Sequence, residues 1–286
     1  MRRLSIEHVT EYRFAEPVTL LEHRLLLRPR EDHAVRIASS RLVTDPPSAV
    51  RWQRDVLDNS LARVRFGIKA DLLRISSHTV VELFDETPLD FVVDERAVTH
   101  PFQYSESEAR LLAPFLAPST PGDQGAVLRW LGEIGIGPVA EETFVRLQRL
   151  NRAISDRFRY QERSAEGVQS PAETLTRGVG SCRDFAALFV DSCRCLGIAS
   201  RFVSGYLYAA TAGQTIGGST HAWADVYLPG PGWKGFDPTS GEVTGSDHIA
   251  VAVARDAQAV PPVAGSFLAA PTAAPALYVS VSVRPQ

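Results

Sequence analysis

Three short segments in the second half of the chain carry residue types that can do covalent chemistry. Cys182 follows a stretch punctuated by Gly178 and Gly180 and opens an apolar helical pattern. Downstream, His221 stands in Thr-His-Ala-Trp and Asp237 in Gly-Phe-Asp-Pro-Thr. In a Cys-His-Asp triad the imidazole activates the thiol and the carboxylate orients the imidazole. The three segments together predict a cysteine enzyme.

The residues around Cys182 predict a helix that begins at this thiol. Ser181 followed three residues later by Asp184 fits a capping box, which makes Cys182 the first helical residue. Apolar residues then recur at helical spacing, at Phe185, Ala186, Phe189, Val190 and Cys193. The unpaired amides and the dipole at a helix N-terminus stabilise a thiolate and can receive an oxyanion. We expect the two glycines to leave room for a substrate to approach the sulfur.

The other two cysteines give the alternatives to catalysis. A cysteine on an apolar helical face is more often a small buried side chain than a nucleophile, and Cys193 is predicted to be one. Cys193 and Cys195 form a Cys-x-Cys pair, but no second Cys/His pair stands at zinc-site spacing, so no metal is predicted. Three cysteines do not suggest a disulfide framework and fit a reducing compartment.

His221 and Asp237 fall on two strands of a predicted hairpin. In the strand around His221, this residue and Trp223 share one face, while the alternate residues are apolar and should pack on the core. The His221 face should therefore border a groove or solvent. The turn at 229–232 brings Asp237 across from the His221 end of the hairpin. A surface histidine and a turn-forming Asp-Pro are the simpler readings of these two residues.

The elements that position these residues belong to an α+β protein. Residues 1 to about 105 show strand-like alternation, first in Leu4, Ile6, His8, Thr10, Tyr12 and Phe14, and predict an antiparallel β-sandwich-like domain. Prolines and glycines at 112–125 indicate the boundary, giving domains at 1–118 and 119–286. A helix is predicted over about 141–158, and alternation at 277–283 predicts a closing strand of the second domain.

Composition restricts partners and location. The net charge of −3 over 286 residues gives no global attraction to nucleic acid. The segment that begins at Met1 lacks the apolar core of a signal peptide, and no run of about 18 apolar residues suggests a membrane span. We therefore expect a cytoplasmic protein without nucleic-acid or membrane partners.

The motifs resemble those of the bacterial transglutaminase-like superfamily. They are carried, in order and at compatible spacing, by residues 178–186, 201–207, 220–229 and 232–240. The amino-terminal segments 12–14, 25–30 and 101–104 resemble the β-rich domain that precedes the core in many bacterial members. This resemblance implies a papain-like core whose triad is Cys182, His221 and Asp237. Arg183 departs from the glutamine or tryptophan that often follows the cysteine.

The resemblance implies acyl transfer through a thioester on Cys182, with a peptide or protein as substrate and no cofactor. Tyr160 is a candidate oxyanion donor, and Arg183 and Trp223 are candidate cleft residues by adjacency. Three functions stay open: an amide hydrolase, a protein-glutamine γ-glutamyltransferase and a non-catalytic binding module. The three triad residues disfavour the last, and nothing resembling the accessory domains of animal crosslinking enzymes is present, so hydrolysis is favoured.

Overall fold

The computed structural model describes residues 1–84, 87–162, 167–208, 219–268 and 274–286. The first six strands are β1 (Arg2–Leu20), β2 (His23–Leu25), β3 (Val35–Asp45), β4 (Ser48–Arg54), β5 (Ser60–Phe66) and β6 (Lys69–Leu83). Strand β1 buries Leu4, Ile6, His8 and Thr10, as its alternation predicts. One sheet contains β1, β6 and β3, and the other contains β2, β5 and β4. Side chains from both sheets form one apolar cluster, so this part is the predicted sandwich.

A helical layer follows the sandwich. Its elements are α1 (Glu95–Val98), β7 (Thr99–His100), α2 (Glu106–Leu116), α3 (Gln124–Glu133), β8 (Glu141–Glu142), α4 (Thr143–Arg157), β9 (Arg159–Tyr160), α5 (Pro171–Arg177), β10 (Val179–Gly180) and α6 (Cys182–Cys195). Helix α4 buries Leu147, Leu150 and Ile154, on the stripe expected for the helix at about 141–158. Helix α6 begins at Cys182, as predicted.

An antiparallel sheet packs on α6. Its strands are β11 (Ser200–Leu207), β12 (Ser219–Leu228), β13 (Gly232–Asp237), β14 (Glu242–Val243) and β15 (His248–Ala254), in the order β14-β13-β12-β11-β15. The predicted apolar face of β12, with Ala224, Val226 and Leu228, shares a core cluster with α6. The ring of Phe189 on α6 stacks on Phe236 of β13 at 5.5 Å. This packing holds the start of α6 beside the β12–β13 hairpin.

The predicted division into domains 1–118 and 119–286 differs from the structure in two places, at the C-terminal strands and at the boundary segment. Strands β16 (Val263–Ala264), β17 (Phe267–Leu268) and β18 (Ala276–Pro285) pair with β2 and β1 of the sandwich. The predicted closing strand is therefore real, but it belongs to the first sheet, where it satisfies the backbone groups of β1.

The predicted boundary segment 112–125 also differs, because it begins inside α2. Ser105 and Glu108 form a capping box that starts this helix, and Pro114 lies close to its end. Arg255, just after β15, donates hydrogen bonds to the carbonyls of Pro114 and Ala117. Helix α2 is thus attached to the second half of the chain.

The two halves share one apolar core. Leu4 and Val81 of the sandwich lie in the same cluster as Tyr206, Ala222 and Ile249 of the second sheet. A shared core holds the sandwich against the sheet that carries His221. Among the described residues, no helix combines the length and the apolar character that a membrane crossing requires.

Candidate active site

Cys182 occupies the first position of α6, next to a capped N-terminus. The Asp184 carboxylate accepts hydrogen bonds from the Ser181 N–H at 2.8 Å and the Ser181 hydroxyl at 2.9 Å, and it also accepts from the Gln169 N–H at 2.7 Å. These bonds fix the turn that leads into the helix. The Cys182 side chain is partly exposed, and its N–H is among those that lack a partner inside the helix. A substrate carbonyl at the sulfur can therefore meet this amide.

The two glycines before Cys182 differ in the space beside them. Gly178 ends α5 in the left-handed conformation, at φ 66°. At Gly180 a methyl group would come within 2.9 Å of the Asp184 side chain and 3.0 Å of the Phe185 ring. The space beside Gly180 is therefore filled by the helix itself, and the expectation that this glycine leaves room for a substrate is wrong. At Gly178 a methyl group would meet nothing within 4 Å, and room for a substrate there stays a prediction.

His221 and Asp237 form a buried hydrogen-bonded pair. His221 Nε2 lies 2.8 Å from Asp237 Oδ2, and the two residues are 9% and 1% exposed. The Thr239 N–H donates to the other carboxylate oxygen at 2.9 Å. Because Asp237 engages Nε2, Nδ1 is the nitrogen left to face the Cys182 side chain, with which His221 also hydrogen bonds. The structure thus brings Cys182, His221 and Asp237 together.

The electrostatics of this group favour a charged imidazole. Burial disfavours the charged form of His221, but hydrogen bonds to Asp237 and Cys182 outweigh this and raise the pKa of His221 to about 10. Burial also opposes the charge on Asp237, yet the bonds from His221, His248 and Thr239 hold the pKa of this carboxyl well below its usual range. A protonated His221 beside the sulfur can stabilise a thiolate and later donate a proton.

The three remaining candidates occupy different surroundings. Tyr160 on β9 lies opposite Gly180 and is 51% exposed, and burial together with the nearby Cys182 raises the pKa of its phenol. Arg183 is held by two other groups: it donates to the carbonyl of Ala257 and lies 5.2 Å over the Phe202 ring. Tyr160 is therefore placed near the reacting atom, whereas Arg183 is occupied in packing.

Trp223 lies behind the triad and is 3% exposed. Its ring centroid is 6.2 Å from that of His221 and 5.2 Å from that of His248. It packs with Val203 and Val253 and borders a cavity of about 400 Å³. Trp223 and Asp225, on the strand face of His221, therefore border a groove, but His221 itself does not line it, and the Trp223 ring packs near the imidazole.

His248 is a residue of this site that the sequence patterns did not single out. It opens β15, and its Nε2 lies 3.3 Å from Asp237 Oδ2. The signal available in the sequence is a histidine at the start of an alternating strand, the same setting as His221. Only the sheet order, with β12 and β15 on either side of β11, brings the two histidines to one carboxylate.

These side chains are also the group best able to hold a metal. Ligand atoms of His221, Asp237 and His248 all lie within 4.8 Å of one another. Two imidazoles and a carboxylate suit a transition metal. In the structure these atoms are joined by hydrogen bonds, which account for their separations without an ion. The Cys193–Cys195 pair belongs to no such group among the described residues.

The absence of a side chain at Gly205 leaves space that the Trp223 ring fills. Gly205 lies opposite His221 on β12. A methyl group here would come within 2.3 Å of the Ile249 carbonyl and 2.6 Å of the Trp223 ring. We predict that Gly205→Ala lowers the free energy of unfolding by about 2–3 kcal/mol, because overpacking displaces the ring or the strand. Urea unfolding checks this.

Gly132→Ala is the matched control for this prediction. Gly132 lies in α3, and a methyl group there meets nothing within 4 Å. Alanine in a helix should leave stability unchanged or raise it by about 0.5–1 kcal/mol. A Gly205→Ala protein as stable as this control would contradict the role of Gly205.

Comparison with known proteins identifies the family. The transglutaminase-like superfamily matches residues 136–238, and the bacterial transglutaminase-like N-terminal region matches residues 4–82. The chain thus contains a transglutaminase-like core that follows a bacterial transglutaminase-like N-terminal region. The matched core contains the site just described, and the matched N-terminal region is the sandwich.

Relatives of this transglutaminase-like protein extend over nearly its whole length. An uncharacterised Mycobacterium tuberculosis protein is 29% identical over 275 residues, which cover 92% of this chain and 87% of that protein. A Mycobacterium leprae protein is 37% identical over 105 residues, covering 35% and 37%. A candidate cysteine protease from Cytophaga hutchinsonii has a crystal structure with a TM-score of 0.75 at 20% identity, covering 99% and 90%. That likeness supports the α+β fold with a papain-like core, a fold of cysteine enzymes.

Proposed function

We propose that this protein is a thiol hydrolase that cleaves a peptide-like amide bond through a thioester on Cys182. The observation that carries the proposal is the meeting of Cys182, at the start of α6, with the hydrogen-bonded pair of His221 and Asp237. A nucleophile beside a base, which a third group orients, is the arrangement that acyl transfer needs.

In the acylation step, the Cys182 thiolate attacks the carbonyl carbon of the substrate. The carbonyl oxygen takes up the electron pair, and the Cys182 N–H stabilises this oxyanion. The electron pair on this oxygen re-forms the carbonyl double bond as the C–N bond breaks. Protonated His221 gives its proton from Nδ1 to the leaving amine. Asp237 holds the ring through Nε2 during the transfer. The products are a free amine and a thioester on Cys182.

In the deacylation step, neutral His221 takes a proton from water as the water oxygen attacks the thioester carbon. The C–S bond breaks, the carboxylic acid leaves, and the thiolate and the imidazolium are restored. If a primary amine attacks in place of water, the same step forms a new amide. Hydrolysis and amine transfer therefore use the same residues and differ in the acceptor that reaches the thioester.

A peptide or protein is the proposed substrate. Tyr160 presents an exposed aromatic side chain beside the turn that precedes Cys182, and aromatic groups of this kind pack against extended peptide chains.

A limiting amount of an iodoacetamide probe, followed by peptide mapping, tests the nucleophile. Cys193 and Cys195 are controls inside the same helix. Cys193 is fully buried, and burial raises the pKa of Cys193 well above its usual range and that of Cys195 to about 11. We expect labelling at Cys182 to exceed labelling at the other two by at least about tenfold at neutral pH. Preferential labelling of Cys195 would contradict the proposal.

A library of acyl donors, with and without a labelled primary amine, tests the reaction. We expect release of free acids, with little incorporation of the amine. Efficient incorporation would instead assign amine transfer. If neither product forms and Cys182 is no more reactive than Cys195, the protein is a binding module of the same fold.

A further inference from the structure

His248 shares one carboxylate oxygen with His221. Asp237 Oδ2 lies 2.8 Å from Nε2 of His221 and 3.3 Å from Nε2 of His248. One oxygen of the buried carboxylate thus contacts two imidazoles, one of which faces Cys182. A Cys-His-Asp triad needs only one of them, so the second requires an explanation.

The hydrogen bonds of His248 define which of its nitrogens carries the proton. The backbone N–H of Gly245 donates to Nδ1 of His248 at 3.4 Å. A nitrogen that accepts a hydrogen bond carries no proton, so neutral His248 is protonated on Nε2. This N–H donates to Asp237, just as the N–H on Nε2 of His221 does. His248 therefore acts on the carboxylate as a donor without needing a charge.

The packing around His248 keeps its ring in this position. The ring meets Trp223 edge to face at 5.2 Å, and its side chain is only 10% exposed. His248 borders the cavity of about 400 Å³ together with Trp223, while the described residues that line this cavity include neither Cys182 nor Asp237. Among the triad residues, His248 thus hydrogen bonds with Asp237, through which it can act on His221.

We propose that His248 is a positioning residue that holds the Asp237 carboxylate in the rotamer that engages His221. The Thr239 N–H fixes Oδ1 at 2.9 Å, and His248 is a second donor to Oδ2 beside His221. Without the second donor, the carboxylate can turn and lose its alignment with Nε2 of His221. This inference deepens the proposed function and rests on it.

The matched pair His248→Gln and His248→Asn tests this role. The amide nitrogen of glutamine reaches about as far as Nε2 of histidine, whereas that of asparagine is one methylene shorter. Glutamine can therefore donate to Asp237 and asparagine cannot. A hydrogen bond to a charged group contributes enough to change a rate by about 10–100-fold. We expect His248→Asn to lower kcat by this amount with KM unchanged. We expect His248→Gln to keep most of the wild-type kcat.

Two readouts need no substrate and separate this inference from the proposed function. The proton shared by His221 and Asp237 should give a far-downfield proton NMR resonance. We expect this resonance in the wild type and in His248→Gln, and its broadening or loss in His248→Asn. The alkylation rate of Cys182 should follow the same order. The resonance therefore decides the positioning role even if no acyl donor is turned over.

His33→Asn is the control, because His33 borders the same cavity but is exposed and has no contact with the triad. It should match the wild type in every readout. If His248→Asn does not fold, His248→Phe takes its place, since phenylalanine keeps the ring against Trp223 and removes the donor. An unchanged NMR resonance and alkylation rate in the donor-free variant, or an equal loss in His248→Gln, would overturn the proposal.

Discussion

Replacing Cys182 by alanine is expected to lower kcat by about 10⁴-fold or more, because no other group in the site can form the thioester. The side chain is partly exposed at a helix N-terminus, so the fold should be retained. Alanine also removes the sulfur that accepts the iodoacetamide probe. Turnover by the variant, melting temperature and probe labelling check the three parts of this prediction.

Cys195→Ser is the matched control for this substitution. Cys195 lies at the other end of the same helix and is also partly exposed, so an oxygen in place of sulfur tests whether a thiol change in α6 is itself harmful. We expect wild-type turnover from this variant. Turnover by Cys182→Ala above about 1% of the wild type would show that the thiol is not the nucleophile.

Removing the Asp237 carboxylate is expected to have the second-largest effect. In the wild type, Asp237 aligns His221 and raises the pKa of its imidazole. Because Asp237→Ala removes both effects, we expect kcat to fall by about 10³–10⁴-fold, as in comparable triads. Asp237→Asn keeps an amide oxygen that can accept from Nε2 but loses the charge. We expect it to lose only about 10–100-fold, since an Asn fills this position in other thiol enzymes.

The dependence of kcat on pH distinguishes two effects of Asp237, the alignment of the His221 ring and the stabilisation of its positive charge. In the wild type His221 has a pKa of about 10, against an ordinary value of 6.5, so activity that needs protonated His221 should fall only as the pH rises toward 10. In Asp237→Asn this alkaline limb should move down. Kinetic profiles from neutral to alkaline pH test this shift, and an unmoved limb in Asp237→Asn would show that the carboxylate does not set the charge of His221.

The hydrogen-bonded pair of His221 and Asp237 should also make the free energy of unfolding depend on pH. Because the folded-state pKa of His221 lies above its ordinary value, its protonation stabilises the fold fully below about pH 6.5, and this contribution is lost as the pH rises through about 10. The wild type should therefore lose more stability than Asp237→Asn between neutral and alkaline pH. Denaturant titrations at several pH values measure the difference.

The parts of the site that the sequence predicted are those set by local interactions. The start of α6 at Cys182 depends on Ser181 and Asp184, which stand within one turn of it. The apolar face of β12 follows from simple alternation, and a short turn brings Asp237 to the His221 end of the hairpin. The α+β fold and the family follow from the same motifs. A cytoplasmic location stays a prediction.

The parts that the sequence left open depend on strand order. Only its place at the start of an alternating strand marks His248 in the chain, and Gly205 becomes a packing position only because Ile249 and Trp223 meet there. Strand β18 alternates as a strand should, but alternation does not say which sheet it joins.

The sequence by itself therefore determined the chemistry of the candidate site: a thiol at a helix N-terminus, a base and an acid, each placed by neighbours a few residues away. The tertiary structure alone decided how that chemistry is held in place. It set His248 against Asp237, the Trp223 ring against both histidines and the sandwich against the sheet that carries His221. These contacts join residues far apart in the chain, and their register comes from the packing of whole sheets, which no local pattern encodes.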